Sequence, residues 1–217
     1  MNTKTANKVK DHFHKTAEDF DAIYTGKKGG IRKKLDRMLR WDMYQRYDMT
    51  IKECDNPQGK RILDIGCGSG QFMIPLALKG AGEVVGIDFA ANMIALAQQM
   101  ADDQGLNGKC KFIEGDFIKN DFKKSFDIMI AIGLFDYIPD CLPYLKKIRK
   151  LTTEKLIATF PQRWTIRAPI RKVRLNLHNC PVFFFSQRDI EKLFQKAGFS
   201  NWKIQKVGKI YFTVAYV

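Results

Sequence analysis

The chain has 217 residues, 45% of them apolar and 28% charged. This is the length of one ordinary domain with enough apolar content for a sizeable core, and it excludes disorder over most of the chain. The net charge of +14 would attract nucleic acid, an anionic membrane surface or acidic small molecules, and by itself says nothing about fold.

The longest apolar runs, such as "IMIAIGLF", fall well short of the roughly 20 residues that span a bilayer. The polar start "MNTKTANKVKDHFHK" lacks the apolar stretch of a signal peptide, which points to the cytoplasm. Five cysteines (Cys54, Cys67, Cys110, Cys141 and Cys180) include no C-x-x-C pair. That argues for free thiols and against a disulfide framework or a zinc site, so no metal is expected.

In chain order, residues 1–56 read as a helical extension. "VKDHFHKTAEDFDAIY" puts Val9, Phe13, Ala17, Phe20 and Tyr24 on one helical face. After the break "TGKKGG", Ile31, Leu35, Met38, Leu39, Met43 and Tyr44 recur at the same spacing opposite a basic face, and "DNPQGK" forms a loop. From residue 60 the pattern alternates. "RILDIG", "EVVGID", "CKFIEGD", "FDIMIAIG" and "KLIATF" read as strands, separated by the helical stretches "SGQFMIPLALKG", "AANMIALAQQMADDQG" and "PYLKKIRKLT". Alternation of this kind predicts an α/β domain, a doubly wound and mostly parallel sheet, over residues 57–217. Residues 162–185 follow neither period and read as a small basic cap inserted into that domain. "SQRDIEKLFQKAGF" is a helix capped by Ser186 and stopped by Gly198, and two strands about Gly208 bring the sheet to seven.

The stretch "RILDIGCGSGQF" carries the chemistry. A strand ends in Asp64 and is followed by Gly66, Gly68 and Gly70 on alternate positions. In a doubly wound sheet the ligand crevice lies beyond the carboxyl ends of the strands. Asp88 ends the second strand, 18 positions after Gly70, where a carboxylate can accept both hydroxyls of a ribose. The dinucleotide pattern G-x-G-x-x-G seats a pyrophosphate on a helix N-terminus. Here the order is D-x-G-x-G-x-G, and a carboxylate at Asp64 would repel a pyrophosphate but suit a cationic ammonium or sulfonium group.

"LDIGCGSG" resembles motif I of the class I S-adenosylmethionine-dependent methyltransferases, and "VVGIDFAANMI", "FIEGDF" and "FDIMIAIGLFDYI" resemble the motifs that follow it, in order across residues 61–138. The resemblance implies a Rossmann-like methyltransferase fold ending in a reversed hairpin, here "GKIYFTVAYV", with S-adenosylmethionine as cofactor and S-adenosylhomocysteine as product. It implies Asp64, Gly66, Cys67, Gly68 and Gly70 at the methionine end and Asp88 on the ribose. Phe89 and Met93 would pack on adenine, Asp116 would bond its amino group, and Phe117 would flank the ring. The backbone at Ile132 and Gly133 would receive the methionine amino group. Taken singly, the glycine loop could be a tight turn, Asp88 a helix cap and Asp116 a turn residue. Four such matches at the family's spacing favour the cofactor.

Within that superfamily, "FHKTAEDFDAIYTG" and "GLFDYIPD" are similar to the magnesium-protoporphyrin O-methyltransferases and their small-molecule relatives. The similarity implies catalytic roles for Tyr24 and for a histidine just after the fourth strand. That position holds Asp136, beside Tyr137, which leaves the base unassigned. Tyr24 serves equally as part of an amphipathic face, and Asp136 as a helix cap. The inserted segment places Arg163, Arg167, Arg171, Lys172 and Arg174 among Trp164, Phe183, Phe184 and Phe185. Guanidinium forks bind carboxylate and phosphate. The expectation is in-line methyl transfer to the oxygen of a small anionic acceptor. An RNA methyltransferase is the alternative that the charge suits, although "GLFDY" is not the D/N-P-P-Y pattern of amine methylation. A second alternative is a non-catalytic protein keeping the fold, or one resting its basic "IRKKLDRMLR" helix on an acidic membrane.

Overall fold

The computed structural model describes residues 41–163 and 182–217. Within them, short apolar runs form five strands: β1 (Arg61–Ile65), β2 (Glu83–Asp88), β3 (Cys110–Glu114), β4 (Phe126–Ala131) and β5 (Thr152–Pro161). In β1, β2 and β4 successive residues are buried instead of alternating, because a central parallel strand is covered on both faces. β1 to β5 pair in parallel, while β7 (Ile210–Tyr216) runs antiparallel between β5 and β6 (Asn201–Val207). The sheet order is β3-β2-β1-β4-β5-β7-β6, the seven strands that the sequence predicts. Strand order reverses between β1 and β4, so the crevice lies at the carboxyl ends of those two.

The helices are α1 (Trp41–Glu53), α2 (Met73–Leu78), α3 (Ala91–Asp102), α4 (Leu142–Leu151) and α5 (Gln187–Ala197). α5 has the expected ends, a reciprocal capping box between Ser186 and Asp189 and a left-handed Gly198. α2 departs from the reading. Its pattern suggests a start near Ser69, but the backbone stays in turns until Met73, with Gly66, Gly68 and Gly70 all at positive φ. Asp88 is not the cap of α3. That position is Ala90, whose N–H donates to Asp88 Oδ1 at 2.9 Å.

Gly86 in β2 is what lets the loop and α2 lie on the sheet. A Cβ there would sit 2.3 Å from Met73 Sδ and 2.7 Å from Cys67 Sγ. On the opposite face Phe135 and Phe160 stack at 4.6 Å, with Phe185 and Phe194 edge-on to Phe160. α1 belongs to the packed body, although the boundary at residue 56 groups it with the extension. Thr50 and Cys54 are fully buried, and Lys155 Nζ donates to the carbonyl of Glu53. Residues 1–40, with Tyr24, and 164–181, with Arg167, Arg171, Lys172 and Arg174, lie outside the described residues.

Candidate active site

The glycine loop is fastened to the end of β2 by its own backbone. The N–H groups of Gly66 and Cys67 donate to the carbonyl of Ile87 at 2.8 and 3.3 Å. Gly68 N–H donates to Asp88 Oδ2 at 3.0 Å, so one carboxylate ties the loop to the first turn of α3. Burial pushes the Asp88 carboxyl above its ordinary range, against the pull of the N–H groups of Ala90, Gly68 and Phe89. Asp64 is 2% exposed, and its Oδ2 has no hydrogen-bond partner among the described residues. Burial, and then the charge of Asp88, raise its carboxyl to about 8. The Cys67 thiol, buried beside them, is likewise pushed well up by burial.

Across the switch point, Gly133 follows β4 at φ +75° and donates its N–H to Thr159 Oγ1 at 2.8 Å. Arg46 reaches this turn from α1, with Nη1 3.5 Å from where a Gly133 Cβ would lie. Sequence reasoning missed this arginine, because it is one of many basic residues on a helix and no local motif marks it. Ile132 is half-buried beside the turn. Asp136 is 4% exposed, and its carbonyl accepts from the Phe183 N–H at 2.8 Å. That bond lays residues 182–185 along the crevice, where Val182 and Phe184 pack with Phe89 and Tyr137. Phe185 N–H donates to the carbonyl of Pro161, and Arg163 N–H to that of Phe185. The Arg163 guanidinium is half exposed and lies 3.5 Å from Asp189 Oδ2, so it is paired with the cap of α5.

The adenine-side residues divide. Phe89 is half-buried at the crevice, whereas Met93 and Phe117 are each 3% exposed. The Phe117 ring packs between Phe122 and Tyr144, which assigns its faces to the core and not to an open ligand surface. A phenylalanine after "GD" reads the same in either orientation. Asp116 Oδ1 accepts from the Ile118 N–H at 2.9 Å, closing its own turn.

Asp64 and Asp88 thus lie together at the ends of β1 and β2, and Arg46 lies against the turn after β4, across the point where the strand order reverses. A buried carboxylate with an unpartnered oxygen fits a ligand with a cationic centre, and the arginine fits a carboxylate at the same end. The family model described as a methyltransferase domain matches residues 56–198. The chain belongs to this methyltransferase-domain family, whose cofactor is S-adenosylmethionine. Demethylmenaquinone methyltransferase of Geobacillus kaustophilus is 32% identical over 146 residues, covering 65% of this chain and 58% of that protein. Ubiquinone biosynthesis O-methyltransferase of Pseudomonas syringae is 31% identical over 90 residues, 42% of this chain and 38% of the relative. The chain therefore spans less than two thirds of these relatives. The crystal structure of magnesium protoporphyrin IX methyltransferase from Synechocystis with bound S-adenosylhomocysteine superposes with a TM-score of 0.78. It covers 98% of this chain and 99% of that one at 22% identity, a likeness of fold. Among the described residues no cluster of His, Cys, Asp or Glu could hold a metal ion, and no helix is long and apolar enough to cross a membrane.

Proposed function

We propose that this chain transfers a methyl group from S-adenosylmethionine to an oxygen of a small, anionic acceptor. The observation that carries the reading is the buried Asp64, with an oxygen lacking a hydrogen-bond partner among the described residues, beside the Gly66–Gly70 loop and Asp88. Bound there, S-adenosylmethionine supplies a methyl group on an electrophilic sulfonium.

Every other part falls to the chain. Asp64 balances the positive charge of the methionine end, and Arg46 with the backbone at Ile132 and Gly133 receives its carboxylate and amino groups. The loop from Gly66 through Cys67 and Gly68 to Gly70 lets the backbone approach closely, and Asp88 accepts the ribose hydroxyls. Phe89 offers an aromatic face to adenine and Asp116 a hydrogen-bond acceptor, with Met93 and Phe117 supporting that pocket from the core. On the acceptor side, Tyr137, Val182 and Phe184 form an apolar wall suited to a ring, next to Asp136, whose carbonyl accepts from Phe183 N–H. The relatives named for demethylmenaquinone and ubiquinone biosynthesis support a ring-bearing acceptor. Arg163, and by sequence Arg167, Arg171 and Arg174, favour one that carries a carboxylate or phosphate. Displacement at a sulfonium depends chiefly on alignment, so Asp136 and Tyr137 orient the acceptor and take its proton where it has one.

The test uses S-adenosylmethionine with a labelled methyl group, the purified chain, and host extract separated into RNA, protein and small-molecule fractions, with Asp88→Ala as control. Label confined to the small-molecule fraction and absent with Asp88→Ala is the expected outcome. Label in RNA would overturn the acceptor class.

A further inference from the structure

Two residues of α4 grip the turn that follows β3, where Asp116 sits. Lys147 Nζ donates to the carbonyls of Phe117 at 2.7 Å, Ile118 at 3.0 Å and Asn120. All three donors of one ammonium are therefore spent on a single short turn. The same group lies 5.0 Å from the centroid of the Phe117 ring and 5.7 Å from that of Phe122. One helical turn earlier, the Tyr144 ring stacks on Phe117 at 6.0 Å, and burial followed by the nearby charge of Asp116 raises its phenol above the ordinary range. Positions i and i+3 share a helix face, which is how both side chains reach the same loop.

An ammonium drawn out of water toward neutral carbonyls is a costly way to fill space. Burial lowers the Lys147 amine from its ordinary value, although the charges of Asp121 and Asp116 oppose the shift. An apolar side chain at 147 would pack on Phe117 and Phe122 equally well but would leave the carbonyls free to turn. The lysine fixes the backbone of residues 117–120, and the tyrosine packs on the ring that follows Asp116. Asp116 is then held by its own turn through Ile118 N–H, and α4 grips the residues that directly follow it through Lys147 and the Tyr144 ring.

We propose that Tyr144 and Lys147 are positioning residues for purine recognition, holding Asp116 where it distinguishes an exocyclic amino group from a carbonyl oxygen. The inference rests on the cofactor reading above. It concerns the base alone and leaves the acceptor aside.

The test compares binding of S-adenosylhomocysteine with that of S-inosylhomocysteine, in which the 6-amino group is replaced by oxygen. Calorimetry is run on the full chain, on Tyr144→Phe and on Lys147→Met. The wild type is expected to prefer the adenine compound by about tenfold or more, as sites built around a buried polar partner do. Each variant should reduce that preference to about twofold or threefold, mainly by weakening the adenine compound. A structural role alone would weaken both ligands together, and that result overturns the proposal, as does an unchanged preference in both variants. The two substitutions fail independently, so a variant that does not fold leaves the other to decide. A wild type that binds neither compound sinks the cofactor reading itself. One that binds both equally removes Asp116 as the reader of adenine and this inference with it.

Discussion

The two halves of the crevice are assembled in different ways. On the β1–β2 side, the loop backbone, Asp64 and Asp88 all come from residues 61–88, and hydrogen bonds join the loop to Ile87 and Asp88 with Asp64 buried beside them. On the β4–β5 side the groups facing the acceptor come from three separate stretches: Asp136 after β4, Arg163 after β5, and residues 182–185. The first half is a single folding unit in which each group supports the next. The second is a convergence of distant elements joined by backbone hydrogen bonds, which leave their side chains free to vary. A cofactor common to a family suits the first kind of construction, and an acceptor that differs between members suits the second.

If that division is correct, substitutions in the first half should cost both affinity and stability, and those in the second only acceptor binding. Asp88→Ala is the largest expected effect. It removes the ribose partner and strands the N–H groups of Gly68 and Ala90, each loss costing about 1–3 kcal/mol. S-adenosylhomocysteine affinity should fall by about a hundredfold, with a lower thermal midpoint. An unchanged midpoint would show that the loop does not depend on this carboxylate.

Gly86→Ala forces a Cβ against Met73 Sδ and Cys67 Sγ, and should destabilise the fold by about 1–3 kcal/mol in a urea melt. Asp64→Asn should weaken S-adenosylhomocysteine by about tenfold, because a neutral amide cannot balance a cation. Asp64 also gives the unligated protein a pH dependence. With its carboxyl raised to about 8 in the fold, its contribution to stability is complete below the ordinary carboxylate range and is lost as pH rises through about 8. Thermal midpoints of the wild type should therefore fall from pH 5 to 8 relative to Asp64→Asn, while ligand affinity rises over the same range. The smallest effect is expected of Arg163→Gln: a rise of about threefold in the acceptor KM with the S-adenosylhomocysteine Kd unchanged. A shift in that Kd would mean the halves are not separate.

The same division explains what could be read in advance. The seven strands, α5 with its Ser186 and Gly198 ends, and the Asp64 to Asp88 unit are visible because each is specified by residues adjacent in sequence. Gly86 hides inside an apolar run, and its role appears only when Cys67 and Met73 are seen packed on it. Arg46 and Gly133 are distant in sequence, and nothing local announces their meeting. Arg163 groups by sequence with the acceptor arginines, and its guanidinium lies 3.5 Å from Asp189 Oδ2 in the cap of α5, a pairing that no local pattern announces. Tyr24, Arg167, Arg171 and Arg174 stand on the sequence alone. So does much of the net charge: residues 1–40 and 164–181 hold fifteen of the 37 lysines and arginines but only five of the 23 acids.

The most direct test of the account is the proton balance of cofactor binding. Titrating S-adenosylhomocysteine into the protein at pH 7, in two buffers of different ionisation heat, measures the protons exchanged on binding. A carboxyl raised to about 8 is mostly protonated at that pH, and a bound ammonium group drives it to ionise. The wild type should release close to one proton per ligand, and Asp64→Asn should release none. Tight binding with no proton released, or the same release from Asp64→Asn, would contradict the assignment of Asp64 as the partner of the cofactor's positive end.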